Sequence, residues 1–259
     1  MDKEVTQNLS GIRNKILVFS GKGGVGKSTF AVNLARTLAQ KGNKVGLLDV
    51  DIHGPNVPKM LGLEKEKALV TQDNMIQPIQ VEENFKVMSV AYMLESPDQA
   101  VIWRGPMKYN VIKQFLSNVQ WGELDYLVID SPPGTGDEPL TIGQLIPDAG
   151  AVVVTTPQEV SILDSRKAVS FAKTLQLKIL GVVENMSGYV CPHCGNEVEL
   201  FQKGGGEIVA GEMKQTFLGA IPFDPQMVMS GDAGKSMLGT QSPAAKAIMN
   251  ITDKIIEQM

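Results

Sequence analysis

Three sets of residues have the types and spacings that do chemistry: a glycine- and lysine-rich stretch at 20–29, aspartates at 49, 51 and 130, and cysteines at 191 and 194. In the first set, Gly21, Gly26, Lys27 and Ser28 satisfy G-x-x-x-x-G-K-[ST], with Gly23, Gly24 and Val25 inside the loop and Thr29 after it. Glycines permit the positive φ angles that turn successive backbone N–H groups toward a triphosphate. Lys27 would reach the β- and γ-phosphates and the Ser28 hydroxyl would ligate Mg²⁺. The following helix would add its positive N-terminal end. This pattern predicts binding of a nucleoside triphosphate.

The aspartates stand where such a loop needs them. Asp49 and Asp51 follow an apolar run, and a second apolar run, 125–129, ends in Asp130. Open parallel sheets bind ligands beyond the carboxyl ends of their strands, so both turns should lie beside the phosphate loop. Asp49 could hold Mg²⁺-bound water or Lys27, Asp51 could position the attacking water, and Asp130 would bind Mg²⁺ through water. Ser131-Pro132-Pro133-Gly134-Thr135-Gly136-Asp137 then reads as a stiff loop with glycine pivots, suited to sensing a γ-phosphate. His53 reads as a turn residue.

The motif Cys191-Pro192-His193-Cys194-Gly195 puts two thiolates within reach of one metal. Three readings compete. A zinc knuckle uses two such pairs, a redox pair normally opens a helix after the first strand, and an iron–sulfur cluster with cysteine ligation needs four thiolates. The zinc and cluster readings both demand a second subunit across a two-fold axis. His193 reads as a spacer.

The elements that must position these residues are legible as alternating strands and helices. Apolar runs at 15–20, 44–49, 125–130, 150–155 and 177–184 read as buried strands, and 28–41 and 161–175 as helices. A strand–loop–helix–strand unit of this length implies parallel strands with a right-handed crossover. Weaker strand signals fall at 75–80 and 85–89, and a helix is expected from about residue 107 through Leu116. Residues 217–225 supply the last strand and a turn near the base. Ser242-Pro243 starts a closing helix whose apolar face holds Ala247, Ile248, Ile251, Ile255 and Ile256. Residues 1–13 are polar and read as a loosely ordered arm, leaving 14–259 as one domain.

Composition narrows the function classes. Of 259 residues, 43% are hydrophobic and 20% charged, as in an ordinary globular protein. A net charge of −4 argues against a broad nucleic-acid footprint. Two cysteines make no disulfide framework, and no run is long and apolar enough to span a bilayer. Residues 1–14 lack a signal peptide's apolar stretch, so the cytoplasm is the expected compartment. In the closing helix Lys246 and Lys254 are opposed by Asp253 and Glu257, which reads as a docking helix and not a membrane anchor.

With Lys22 directly after Gly21, the loop resembles the deviant phosphate loop of ATPases that include MinD, the nitrogenase iron protein and the Mrp/ApbC-type carriers. The resemblance to the Mrp/ApbC family covers nearly all of the chain after residue 12. Its specific parts are 21–29, 49–55, 103–107, 121–137, 155–160, 181–187 and 191–195, with Asn56 standing where the family usually has serine. It implies a three-layer α/β P-loop NTPase fold, a mostly parallel sheet with helices on both faces. It implies a homodimeric, ATP-dependent carrier that binds a [4Fe–4S] cluster between two Cys191–Cys194 pairs and hands it to apo-proteins. It also implies that Lys22 crosses to the partner's nucleotide, where it offsets phosphate charge, and that Asn185 recognises adenine. A buried amide capping a strand end is the alternative for Asn185, and an exposed surface lysine the alternative for Lys22. Arg104 could contact phosphate or partner. The extra N-terminal domain and cysteine cluster of some family members are absent, which implies a short form. A MinD/ParA-like positioning ATPase and a zinc-stapled ATPase are the competing functions. The positioning ATPase would need a basic surface or tail that this sequence lacks, and nothing points to a nucleic acid or membrane partner.

Overall fold

The computed structural model describes residues 2–93, 105–191 and 194–259. In chain order the elements begin α1 (Lys3–Asn8), β1 (Ile12–Phe19), α2 (Lys27–Gln40), β2 (Val45–Asp49) and α3 (Val57–Leu61). Four short strands follow: β3 (Leu69–Val70), β4 (Ile76–Gln77), β5 (Ile79–Glu82) and β6 (Phe85–Ser89). Then come α4 (Gly105–Asn118), β7 (Leu124–Asp130), α5 (Asp137–Leu145), β8 (Gly150–Thr155), α6 (Glu159–Thr174) and β9 (Lys178–Val190). The chain closes with β10 (Glu197–Val198), α7 (Gly205–Glu212), β11 (Phe217–Phe223), α8 (Pro225–Asp232) and α9 (Pro243–Gln258).

The main sheet runs β10-β9-β8-β1-β7-β2-β6-β5, with β11 also paired to β9. Pairing is parallel except at β5–β6 and β9–β10. Helices cover both faces, giving the three-layer α/β architecture expected. Strands covered on both sides have no polar face. Every residue of β2 and β8 is accordingly buried, as are Ile16 to Phe19 at the end of β1. Chain order sends β1 to β2 across the place that β7 later fills, while β8 lies on the other side of β1. The strand order therefore reverses at β1, and the crevice beyond its carboxyl end is where ligands bind in such sheets.

The N-terminus departs from expectation. Residues 3–8 are a helix, not a loose arm, and Ile12 already pairs with Leu124 in the sheet. Asp2 caps α1 by accepting from the Glu4 N–H at 3.2 Å, while Val5 and Leu9, four apart and so on one face, are buried. Asn8 Nδ2 donates to the Leu116 and Val119 carbonyls at 2.9 and 3.0 Å, and Lys113 of α4 bridges Asp2 and Glu4 at 2.9 and 3.0 Å. At the other terminus α9 is the docking helix its sequence suggested. Ser242 accepts from the Ala244 and Ala245 N–H groups, Ile248, Ile251 and Ile255 are buried, and Lys254 donates to the Leu218 carbonyl.

Candidate functional site

Between β1 and α2 the glycine-rich stretch forms a loop over a cavity of about 210 Å³ lined by Ser20, Lys22, Gly23, Gly24, Gly26, Lys27, Ser28, Asp51 and Pro133 among others. Gly24 and Gly26 have φ of +79° and +82°, the left-handed region that favours glycine, and Gly26 is the residue from which α2 starts. Gly21 is required for a different reason: a Cβ there would meet the Asp164 carbonyl of α6 at 2.1 Å. Lys27 is buried against acids. Its Nζ lies 2.5 Å from Asp130 Oδ1 and 3.9 Å from Asp51 Oδ2, and donates to Ser28 Oγ at 3.2 Å.

The acids reach this point by register. Asp130 of β7 pairs with Asp49 of β2 on one side and Val18 of β1 on the other. Asp130 is fully buried, and burial pushes its carboxyl above the usual range while Lys27 pulls it back. Its Oδ2 has no hydrogen-bond partner among the described residues. A buried carboxylate oxygen without a partner, next to the Ser28 hydroxyl, is the donor set a Mg²⁺ ion or its water would satisfy. Asp49 is different. Ser89 Oγ donates to its Oδ2 at 2.8 Å and the Asp51 N–H to its Oδ1 at 3.1 Å. Burial first, then the charge of Asp130, pushes its carboxyl up to about 8. Both Asp49 oxygens are thus engaged within the protein, whereas Asp130 Oδ2 is not. Asp51 fixes one oxygen by accepting from the His53 and Gly54 N–H groups at 3.2 and 3.3 Å and keeps the other toward Lys27 and the cavity. His53 is an exposed turn residue, 3.4 Å from Glu138 and 3.0 Å from Lys108 Nζ.

The loop after Asp130 is tied to the phosphate loop at its base. Ser131 donates to the Val18 carbonyl through both N–H and Oγ, and the Gly134 N–H donates to the Ser20 carbonyl at 2.8 Å. Pro133 of this loop lines the cavity while Gly134, φ +90°, provides the turn.

On the other side of Gly26 lies a mostly apolar pocket of about 190 Å³, between α2, β9 and the segment joining β11 to α8. Asn185, Met186, Pro222, Phe223 and Asp224 line it together with Gly26 and Thr29. Asn185 Nδ2 donates to the Val25 carbonyl at 2.9 Å, and a Cβ on Gly26 would meet that nitrogen at 2.1 Å. On sequence Asn185 has adenine recognition and strand-end capping as alternatives; in the structure its amide holds the Val25 carbonyl of the phosphate loop while the side chain lines this pocket. The segment 222–224 was expected only as a strand end near the base; α8 directly after it was not foreseen, although Asp224-Pro225 is a helix-start signal and Asp224 indeed accepts from the Gln226 N–H.

β9 continues well past its pairing with β8 to Val190, turns at the cysteines and returns as β10, with Glu197 opposite Val190 and Val198 opposite Tyr189. The Cys191 N–H donates to the Asn196 carbonyl, and the Gly195 N–H, at φ +72°, to the Cys191 carbonyl, both at 2.9 Å. Cys191 is half-buried and Cys194 exposed. Among the described residues no group of three or more His, Cys, Asp or Glu side chains is placed to hold a metal. His193, Arg104 and Trp103 lie outside the described residues. The sequence reading missed Glu184. This buried carboxylate accepts from the Gly204 and Gly206 N–H groups at 3.0 and 2.5 Å and fixes the hairpin's return into α7.

A phosphate loop, strand-end acids at one register and a proline-stiffened loop on a parallel sheet define a P-loop NTPase that binds nucleotide. The chain belongs to the family described as ParA: NUBPL iron-transfer P-loop NTPase, whose pattern matches residues 11–256. Two curated relatives bear the name iron-sulfur cluster carrier protein. That of Methanocaldococcus jannaschii is 49% identical over 100% of this chain and 89% of its own, and that of Saccharolobus solfataricus 48% identical over 99% and 88%. Among solved structures, a nucleotide-binding protein from Archaeoglobus fulgidus in complex with ADP, with cobalt found, has a TM-score of 0.80 and 40% identity, covering 91% of this chain and 92% of that one. MinD of Aquifex aeolicus, at 22% identity and a TM-score of 0.69 over 95% of this chain and 98% of that one, shares the fold.

Proposed function

We propose that this protein is an ATP-dependent carrier that receives a [4Fe–4S] cluster between two subunits and delivers it to apo-proteins, hydrolysing ATP slowly to ADP and phosphate as it does so. What chiefly supports the reading is the cysteine turn: two thiols at the tip of a hairpin, half the ligands of a cubane, on a chain whose relatives are named as cluster carriers. The cluster is cargo, held by Cys191 and Cys194 of each subunit. In the nucleotide site, Lys27 leaves Asp130 for the phosphates, Asp51 orients the attacking water, and Asn185 faces the base. Ser28 and Asp130 would hold Mg²⁺, which when bound offsets charge on the phosphate oxygens. Lys22 is half-buried at the cavity mouth and in this reading serves the partner's nucleotide.

Anaerobic reconstitution with iron analysis and mass measurement tests this. Wild-type protein is expected to hold about four iron atoms per dimer, and the Cys191→Ala/Cys194→Ala variant none. Full iron loading by that variant, or zinc alone in wild-type protein prepared without oxygen, refutes the cluster site.

A further inference from the structure

Between the pocket at Gly26 and the cysteine turn, β9 is irregular. Ile221 of β11 pairs with Asn185 and Phe223 with Tyr189, so β9 advances four residues where β11 advances two. Two residues of the excess, Met186 and Gly188, have φ of +58° and +69°. A methionine in the left-handed region is uncommon, and bulges of this kind re-aim a strand next to a functional site. The bulge starts on the nucleotide loop. Asn185 binds the Val25 carbonyl, and a Cβ on Gly26 would lie 3.9 Å from the Met186 methyl. It ends at Tyr189, two residues before Cys191.

Phe223 spans the same interval by a second route. It lines the apolar pocket beside Asn185 and Met186. Its ring also meets Tyr189 edge-on, centroids 6.3 Å apart, and Phe201 likewise at 6.4 Å. Tyr189 is on the outgoing limb of the cysteine hairpin and Phe201 on the returning limb. One side chain thus touches the pocket and both limbs. A base entering the pocket has differential contact with any Phe223 position, and two edge-on rings pass that preference to the hairpin.

We propose that Phe223 is a positioning residue that reports occupancy of the base pocket to the Cys191–Cys194 turn through Tyr189 and Phe201. The inference rests on reading that pocket as the nucleotide-base site and the cysteine pair as the cargo site. It differs from any signal through Lys22, because it acts within one chain.

The test needs no cluster. Cys191 and Cys194 are the chain's two cysteines, so total iodoacetamide alkylation of the full-length protein reads the hairpin alone. In wild-type protein Mg²⁺-ADP is expected to change the alkylation rate roughly two- to tenfold, the range an aromatic edge contact sustains. Tyr189→Leu and Phe201→Leu lie outside the pocket wall and should lose that change, with circular dichroism unaltered, while Phe201→Tyr keeps it. Light scattering with and without ADP separates this from a change in oligomer mass. If a folded leucine variant instead binds a fluorescent ADP analogue more than about threefold more weakly, that is the same coupling read in the opposite direction. The proposal is overturned if ADP leaves the wild-type rate unchanged, or if both leucine variants respond to ADP as wild type does. Iron loading is measured in parallel. Its failure removes the cargo reading and leaves the thiol response as support for the relay, whereas normal loading with no thiol response overturns the relay alone.

Discussion

Replacing Asp49 by asparagine should stabilise the nucleotide-free protein, and increasingly so as pH rises. The side chain is fully buried, and its carboxyl is pushed from an ordinary 3.8 up to about 8, by burial first and Asp130 second. Between those two values the folded chain holds a proton that the unfolded chain has released. Stability therefore falls as pH rises through the window, by roughly 1.4 kcal/mol per pH unit, and is insensitive to Asp49 outside it. From about pH 5 to about pH 7 the accumulated loss is about 3 kcal/mol. Asparagine is nearly isosteric and keeps both contacts: its Oδ1 can accept from the Asp51 N–H, and its Nδ2 can donate to Ser89 Oγ. It has no proton to lose. Urea unfolding in EDTA at the two pH values should thus show the variant gaining about 3 kcal/mol on wild type, roughly 6–12 °C in melting temperature. Carboxylates other than Asp130, which is coupled to Asp49, titrate alike in both proteins and cancel. Parallel pH profiles for the two proteins would refute the reasoning. Were Asp49 instead charged and directed at Mg²⁺, the variant would gain nothing in stability and would lose Mg²⁺-dependent nucleotide affinity.

Gly26→Ala combines a left-handed residue with a Cβ placed 2.1 Å from Asn185 Nδ2. It should cost about 2–3 kcal/mol of stability through strain and a lost hydrogen bond, and at least about tenfold in affinity for a fluorescent ADP analogue; near-wild-type values for both would refute the loop geometry. Val5→Ala empties a buried position under α1 and should cost about 2 kcal/mol by urea unfolding. An effect below about 0.5 kcal/mol, the range of surface substitutions, would show that the N-terminal helix adds nothing to the core.

The phosphate loop was legible because its requirements are contiguous: glycines for φ, a lysine and a hydroxyl at fixed offsets, between an apolar run and a helical period. The strand-end acids were legible as acids. Which of them holds a proton was not, because that depends on the burial of Asp49 between β6 and β7 and on Asp49 and Asp130 meeting at one register. The same limit explains the N-terminus. Val5 and Leu9 are too few to show a helical period, and only the facing surface of α4 makes a buried face of them. The apolar run 177–184 marks only the part of β9 beside β8; the strand goes on through the bulge at 186–188 to Val190, still paired with β11 and β10.

That bulge matters for how a nucleotide site and a cysteine turn can belong to one device. Had β9 stopped at Glu184, the two cysteines would hang from a loop with no mechanical tie to the phosphate loop, and only a partner subunit could link the two. A continuous strand joins them instead, gripped at Asn185 by the Val25 carbonyl, braced at Tyr189 by Phe223, and fixed on its return by Glu184 holding Gly204 and Gly206. Each grip comes from a different part of the chain, so none was visible in the motif it positions. A displacement at the loop must then either break a grip or move the hairpin, and the ring edges of Phe223, which sit beside its ladder pairing with Tyr189 and make no side-chain hydrogen bond, are the contacts that can slide.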